Sequence, residues 1–122
     1  MKPDIISVTA SGRATAERIA EATGGRTVEP TNGVAETLRA AFRDGRPAVL
    51  VGAAGIAVRA LSDLIADKTE EPPVLAVAED GSAVVPLLGG HRGANDLART
   101  IAEALGVRPA ITTASDLRFG VA

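Results

Sequence analysis

Apolar and polar positions follow two different periods along this chain. "DIISVTA" (residues 4–10) is a short, nearly continuous apolar run and predicts a strand. "RATAERIAEAT" (13–23) repeats at helical spacing, and the glycines at 24 and 25 stop it. A short extended piece is expected around Val28, then a turn at "PTNG". Val34, Leu38, Ala41 and Phe42 fall on one face of a second helix, which Gly45 ends. "PAVLVG" (47–52) is continuously apolar, the mark of a central strand buried on both sides. "GIAVRALSDLIADK" (55–68) predicts a third helix. "PVLAVAEDGSAVVPLL" predicts two strands joined through residues 79–82, an antiparallel hairpin with Gly81 in its turn. Leu97, Ile101 and Leu105 make an i, i+4, i+8 stripe closed by Gly106, and "PAITT" (109–113) predicts a last strand.

The predicted order is β-α-β-α-β-α-β-β-α-β. Such alternation gives an α/β fold: a three-layer α/β/α domain with a mostly parallel sheet, the one β-hairpin being the exception. The 122 residues form a single domain. The ending "SDLRFGVA" has no capping element and reads as a domain cut from a longer protein.

Composition narrows the function classes. Hydrophobic residues make up 46%, enough for a core, but aromatics only 2%. The formal net charge of −2 provides no surplus to neutralise phosphates, and stacking platforms are scarce, so nucleic acid is not an expected partner. The absence of cysteine removes disulfides, thiolate metal sites and cysteine nucleophiles, and no metal site is read. No long apolar segment or signal-peptide pattern occurs, so no membrane partner and a cytoplasmic location are expected.

In open α/β sheets, ligands gather where strands end and helices begin. Four segments are expected to line one cleft there: "TASGR" (9–13), "GAAGIAVR" (52–59), "LLGGHRGAND" (87–96) and "TTASD" (112–116). Helix N-termini offer free N–H groups, and glycines let an anion approach, so together they describe a receptor for a polyanion. Several readings stay open. Gly52 and Gly55 either admit the anion or permit tight strand–helix packing. Arg59 interrupts an apolar helix and either reaches for solvent or faces ligand. Asp116, after Thr112 and Thr113, caps a turn or joins the site. Asn95 or Asp96 is the expected N-cap of the following helix. Gly89, Gly90 and Gly93 are more glycines than a simple reversal needs. They surround His91, the only histidine and the only group there that titrates near neutrality, which marks it for a ligand or catalytic role.

Taken together, "VGAAGIAVRALSDLIADK", "VPLLGGHRGANDLARTIAEALG" and "AITTASD" resemble the N-terminal region of the cobalamin-biosynthesis protein CbiG, in the family's order, over nearly the whole chain. Two departures are local: only Gly93 follows the histidine loop where many relatives have two glycines, and Glu71–Pro72 stands where many have Asp–Pro. The resemblance implies a role in corrin-ring biosynthesis, opening the δ-lactone of cobalt-precorrin-5A with loss of acetaldehyde. It implies an anionic tetrapyrrole ligand, with cobalt belonging to that substrate and no cofactor bound by this domain alone. His91 is then the expected general base. Gly52, Gly55, Arg59, Gly89, Gly90, Gly93, Asn95, Thr112, Thr113 and Asp116 are the expected substrate-binding residues. The ending resembles forms fused to a precorrin-3B C17-methyltransferase, so a downstream domain of a parent protein is an expected partner. A non-catalytic domain that holds or delivers the tetrapyrrole is the alternative.

Overall fold

The computed structural model describes residues 1–66 and 70–114. Five strands form one sheet: β1 (Asp4–Ser7), β2 (Arg26–Thr27), β3 (Ala48–Val51), β4 (Val74–Val77) and β5 (Val84–Leu88). Their spatial order is β2-β1-β3-β4-β5, with β1 to β4 parallel and β5 antiparallel to β4. The four helices are α1 (Arg13–Thr23), α2 (Val34–Arg43), α3 (Ala54–Leu61) and α4 (Ala94–Leu105).

The three-layer reading holds because each face of the sheet has its own core. On one face Ile5, Val49, Val51, Leu75, Val77 and Val84 pack against Ala16 and Ile19 of α1 and Leu97, Ala98 and Ile101 of α4. On the other, Ile6, Leu50 and Val74 pack against Leu38 and Ala41 of α2 and Ala57 and Leu61 of α3. Successive residues of a strand point to opposite faces, which is why neighbours such as Ile5 and Ile6 serve different cores. Each buried Leu or Ile contributes about 1.5–3 kcal/mol. The run at 47–52 does become a fully buried central strand, with β1 on one side and β4 on the other.

The hairpin forms as expected. Gly81 takes φ +77 in its turn, and Asp80 Oδ1 accepts bonds from the Ser82 amide (3.0 Å) and hydroxyl (2.5 Å). Three expectations are corrected. The piece expected at Val28 pairs at Arg26–Thr27 instead, with only the Val28 amide following, bonded to the Ile5 carbonyl. The third helix ends at Leu61 rather than running to residue 68, of which 67–69 lie outside the described residues. The last strand, 109–113, is reduced to one parallel bridge between Val84 and Pro109, with the Ala110 amide bonded to the Val84 carbonyl at 2.9 Å. A proline has no N–H for a ladder, and Thr112 and Thr113 are exposed.

Candidate functional site at the amino end of the sheet

The single cleft expected from the four loops is not formed. Val51 pairs with Val77, so the loops after β1, β3 and β4 share the carboxyl end of the parallel strands. Leu88 pairs with Val74, the first residue of β4. The hairpin has reversed the chain, and the glycine–histidine loop leaves β5 at the opposite, amino end. Gly55 and His91 therefore belong to different ends of the sheet.

At the amino end, β5 runs through Gly89 into a single 3-10 turn, Gly90–Arg92, and then α4. Gly89 (φ +81) and Gly93 (φ +101) bracket that turn in left-handed backbone, which a side chain resists. A Cβ on Gly89 would also stand 2.6 Å from the Pro72 carbonyl, and one on Gly93 2.5 Å from the Met1 side chain. Both glycines are thus required by the backbone and its packing. Gly90 is different: it has no left-handed φ, and a Cβ there would meet only the Thr113 methyl at 3.6 Å.

Asn95 does not cap α4, because Gly93 occupies that position. It is instead the buried second residue of the helix, and its Nδ2 donates to Thr113 Oγ1 at 2.7 Å. That bond ties the segment carrying Thr112 and Thr113 to the histidine loop. His91 and Arg92 are exposed on this rim, with Arg92 Nη1 3.9 Å from Glu70 Oε2. Glu71 is buried, 6% exposed, next to the Pro72 that Gly89 presses upon. The sequence reading treated Glu71 only as a departure from Asp–Pro. The two prolines after it were the available signal that this segment packs tightly. Asp116 lies outside the described residues.

At the carboxyl end, the Thr9 hydroxyl donates to Glu79 Oε1 (2.6 Å) and Ser11 donates to Oε2 (2.8 Å). These bonds, Thr9's first, hold the Glu79 carboxyl below its ordinary range, against a smaller opposing effect of desolvation. Sequence reasoning missed Glu79, whose only signal was its place just after β4, on the end that Thr9 and Ser11 share. A Cβ on Gly52 would collide with the Val8 side chain, which decides that glycine for packing. The Arg59 guanidinium folds back over Gly55, with Nη1 3.1 Å from where a Cβ would be, so both stay at this end. Among the described residues no group of three or more His, Cys, Asp or Glu is placed to hold a metal ion, and no helix is long and apolar enough to cross a membrane.

Residues 36–116, which hold all but the first two residues of α2, then β3, α3, β4, β5, α4 and the Thr112–Thr113 segment, match the family model described as cobalamin synthesis G N-terminal. The chain belongs to that family. Among proteins similar to this member, a cobalt-precorrin-5A hydrolase of Salmonella typhimurium is 46% identical over 86 residues, 70% of this chain and 24% of the hydrolase. A cobalt-precorrin-5A hydrolase of Priestia megaterium is 36% identical over 78 residues, 63% of this chain and 21% of its own length. The chain thus spans about a quarter of the hydrolases it matches. The crystal structure of a cobalamin biosynthesis protein G homolog from Sulfolobus solfataricus has the same fold, with a TM-score of 0.73 and 30% identity over 91% of this chain and 36% of that one.

Proposed function

We propose that this domain works in opening the δ-lactone of cobalt-precorrin-5A, with His91 at the amino end of the sheet as general base. The observation that carries the reading is the meeting of two family-matching stretches, residues 84–106 and 110–114, at the loop that bears the one histidine. Gly90 sets no side chain against the neighbouring Thr113 methyl, the Asn95–Thr113 bond holds that segment at the start of α4, and His91 is exposed in the same turn. The identity to the two hydrolases supports the substrate class. In this scheme His91 accepts the proton of a water as its oxygen attacks the lactone carbonyl carbon. The ring ester's acyl–oxygen bond then breaks and leaves an alkoxide on the two-carbon fragment. As that oxygen becomes the aldehyde C=O, the carbon–carbon bond to the macrocycle breaks, the macrocycle carbon takes the electron pair and the proton that His91 accepted, and acetaldehyde leaves. Arg92, the last residue of the turn, draws a substrate carboxylate, a charge-assisted contact worth about 1.5–3 kcal/mol. Cobalt enters with the macrocycle as part of the substrate.

The test is acetaldehyde release from cobalt-precorrin-5A, by this domain alone and by a full-length hydrolase carrying it in place of the matching region. Release by the hydrolase that depends on His91 supports the reading. Release that His91→Ala leaves unchanged removes His91 from the chemistry. No release, with the macrocycle still bound, assigns the domain to holding the tetrapyrrole.

A further inference from the structure

The two faces of β5 are covered unequally. On one, Val84 is sealed beneath α4, among Leu97, Ala98 and Ile101. On the other, α3 lies over β4 and stops short of β5, so Val85 and Leu87 stay half-exposed. The result is a trough between α3 and the edge of the sheet. Toward the carboxyl end it is a depression of about 450 Å³ floored by Ala76, Ala83 and Val85. Nearer the amino end of the same strand pair lies a second, apolar hollow of about 110 Å³ between Leu87 and α3. Val58 (53% exposed) and Ile65 (41%), two of the three exposed large hydrophobics among the described residues, line it.

We propose that this trough receives an apolar helix from the part of the hydrolase polypeptide outside the region matched here. The inference rests on the reading that the domain works within such a hydrolase. Two observations choose the occupant. The matched hydrolases are about four times as long as the stretch they share with this chain, so the polypeptide that carries this fold in them has other parts to place against it. The edge of β5 is poorly suited to strand addition, because Pro86 has no N–H and the Val84 carbonyl already accepts from Ala110. What remains open is a face, and α4 on the opposite side shows the element that covers these strands. A polyanionic macrocycle suits the trough less well, since its lining is apolar and the charged group on it is the Glu79 carboxylate.

The experiment places glutamate at the position aligned with Val58 in the full-length Salmonella typhimurium hydrolase, and the same change in this chain alone. Docking predicts that the full-length protein loses about 3 °C or more in Tm, as a charge is forced into an apolar contact. This chain alone shifts by no more than about 1 °C, because Val58 is exposed in it. Ile65→Glu repeats the test at an independent position. Equal shifts in the two settings overturn the proposal. So does a dimer of the isolated chain that Val58→Glu dissolves in sedimentation, which gives the trough to a second copy. Because Tm is read rather than acetaldehyde, a failed docking surface is distinguishable from a failed assignment of the reaction.

Discussion

The two ends of the sheet are built from similar residues and differ in what those residues are already doing. At the carboxyl end, the Thr9 and Ser11 hydroxyls both serve Glu79, Gly52 is pressed against Val8, and Arg59 lies over Gly55. At the amino end, Gly89 and Gly93 are committed to the backbone, while Gly90 is held by no left-handed φ and His91 is exposed to solvent. Carboxyl ends of parallel strands are where ligands of open α/β sheets gather by default. Here the antiparallel β5 carries the histidine loop to the other end, so the default rule points away from the residues that remain available for chemistry.

The widest gap between the ends is expected in turnover. In a full-length hydrolase carrying this domain, His91→Ala lowers acetaldehyde release about 10²–10⁴-fold with the fold intact. Ser11→Ala and Arg59→Ala, at the other end, leave turnover and substrate affinity unchanged. A fall with Ser11→Ala as large as with His91→Ala would reverse the comparison. A loss of about 1.5–3 kcal/mol of affinity with Arg59→Ala would mean that the macrocycle reaches both ends. A pH profile between about 5 and 8, where an imidazole changes charge, separates the two roles open to His91. A base loses rate when protonated, whereas a carboxylate-binding imidazolium gains affinity.

The next contrast lies within the amino end itself. Gly89→Ala puts a Cβ into left-handed backbone and 2.6 Å from the Pro72 carbonyl, and costs about 2–4 kcal/mol of stability. Gly90→Ala meets neither obstacle and changes stability by less than about 0.5 kcal/mol. If Gly90 borders the substrate, its alanine variant lowers affinity instead. Denaturant unfolding and substrate titration of both variants check the pair, and equal destabilisation would break the distinction.

Much of the fold was legible in the sequence because its signals are local. The run at 47–52 reads as a doubly buried strand, and Leu97, Ile101 and Leu105 read as a helix face; burial of Leu97 and Ile101 agrees. The grouping of the candidate residues was harder, because it depends on chain direction. The hairpin at residues 79–82 was itself predicted, and a reversed β5 follows from it; the expectation of one cleft overlooked that consequence. The last strand failed for a different reason: Pro109 can bridge to Val84, but nothing in "PAITT" shows that Thr113 will be drawn aside by Asn95. Asn95 looked like a cap because Asn favours caps. Gly93 took that place by adopting a φ open mainly to glycine.

The smallest effect concerns Glu79 and sharpens the comparison from the carboxyl end. Bonds from Thr9 and then Ser11 favour its ionised form, so its carboxyl titrates below the ordinary 4.5 in the folded chain. Near pH 4 the unfolded chain therefore binds more protons than the folded one. The stabilisation is fully present above the unfolded value and is lost as pH falls through the folded one. The group is solvent-screened, so the effect on Tm is at most about 1–2 °C. Wild type should exceed Glu79→Gln by that margin at pH 7. The gap should narrow on acidification, because a protonated carboxyl resembles the amide. Thr9→Val should reproduce most of the loss, Thr9 being the larger cause. Thermal unfolding of the three proteins between pH 7 and about pH 3, a range that brackets an ordinary glutamate, reads this directly. A gap that stays constant with pH would mean that Glu79 is not held as a carboxylate by these hydroxyls. The carboxyl end would then have a polar group as available as His91, and the difference between the two ends would disappear.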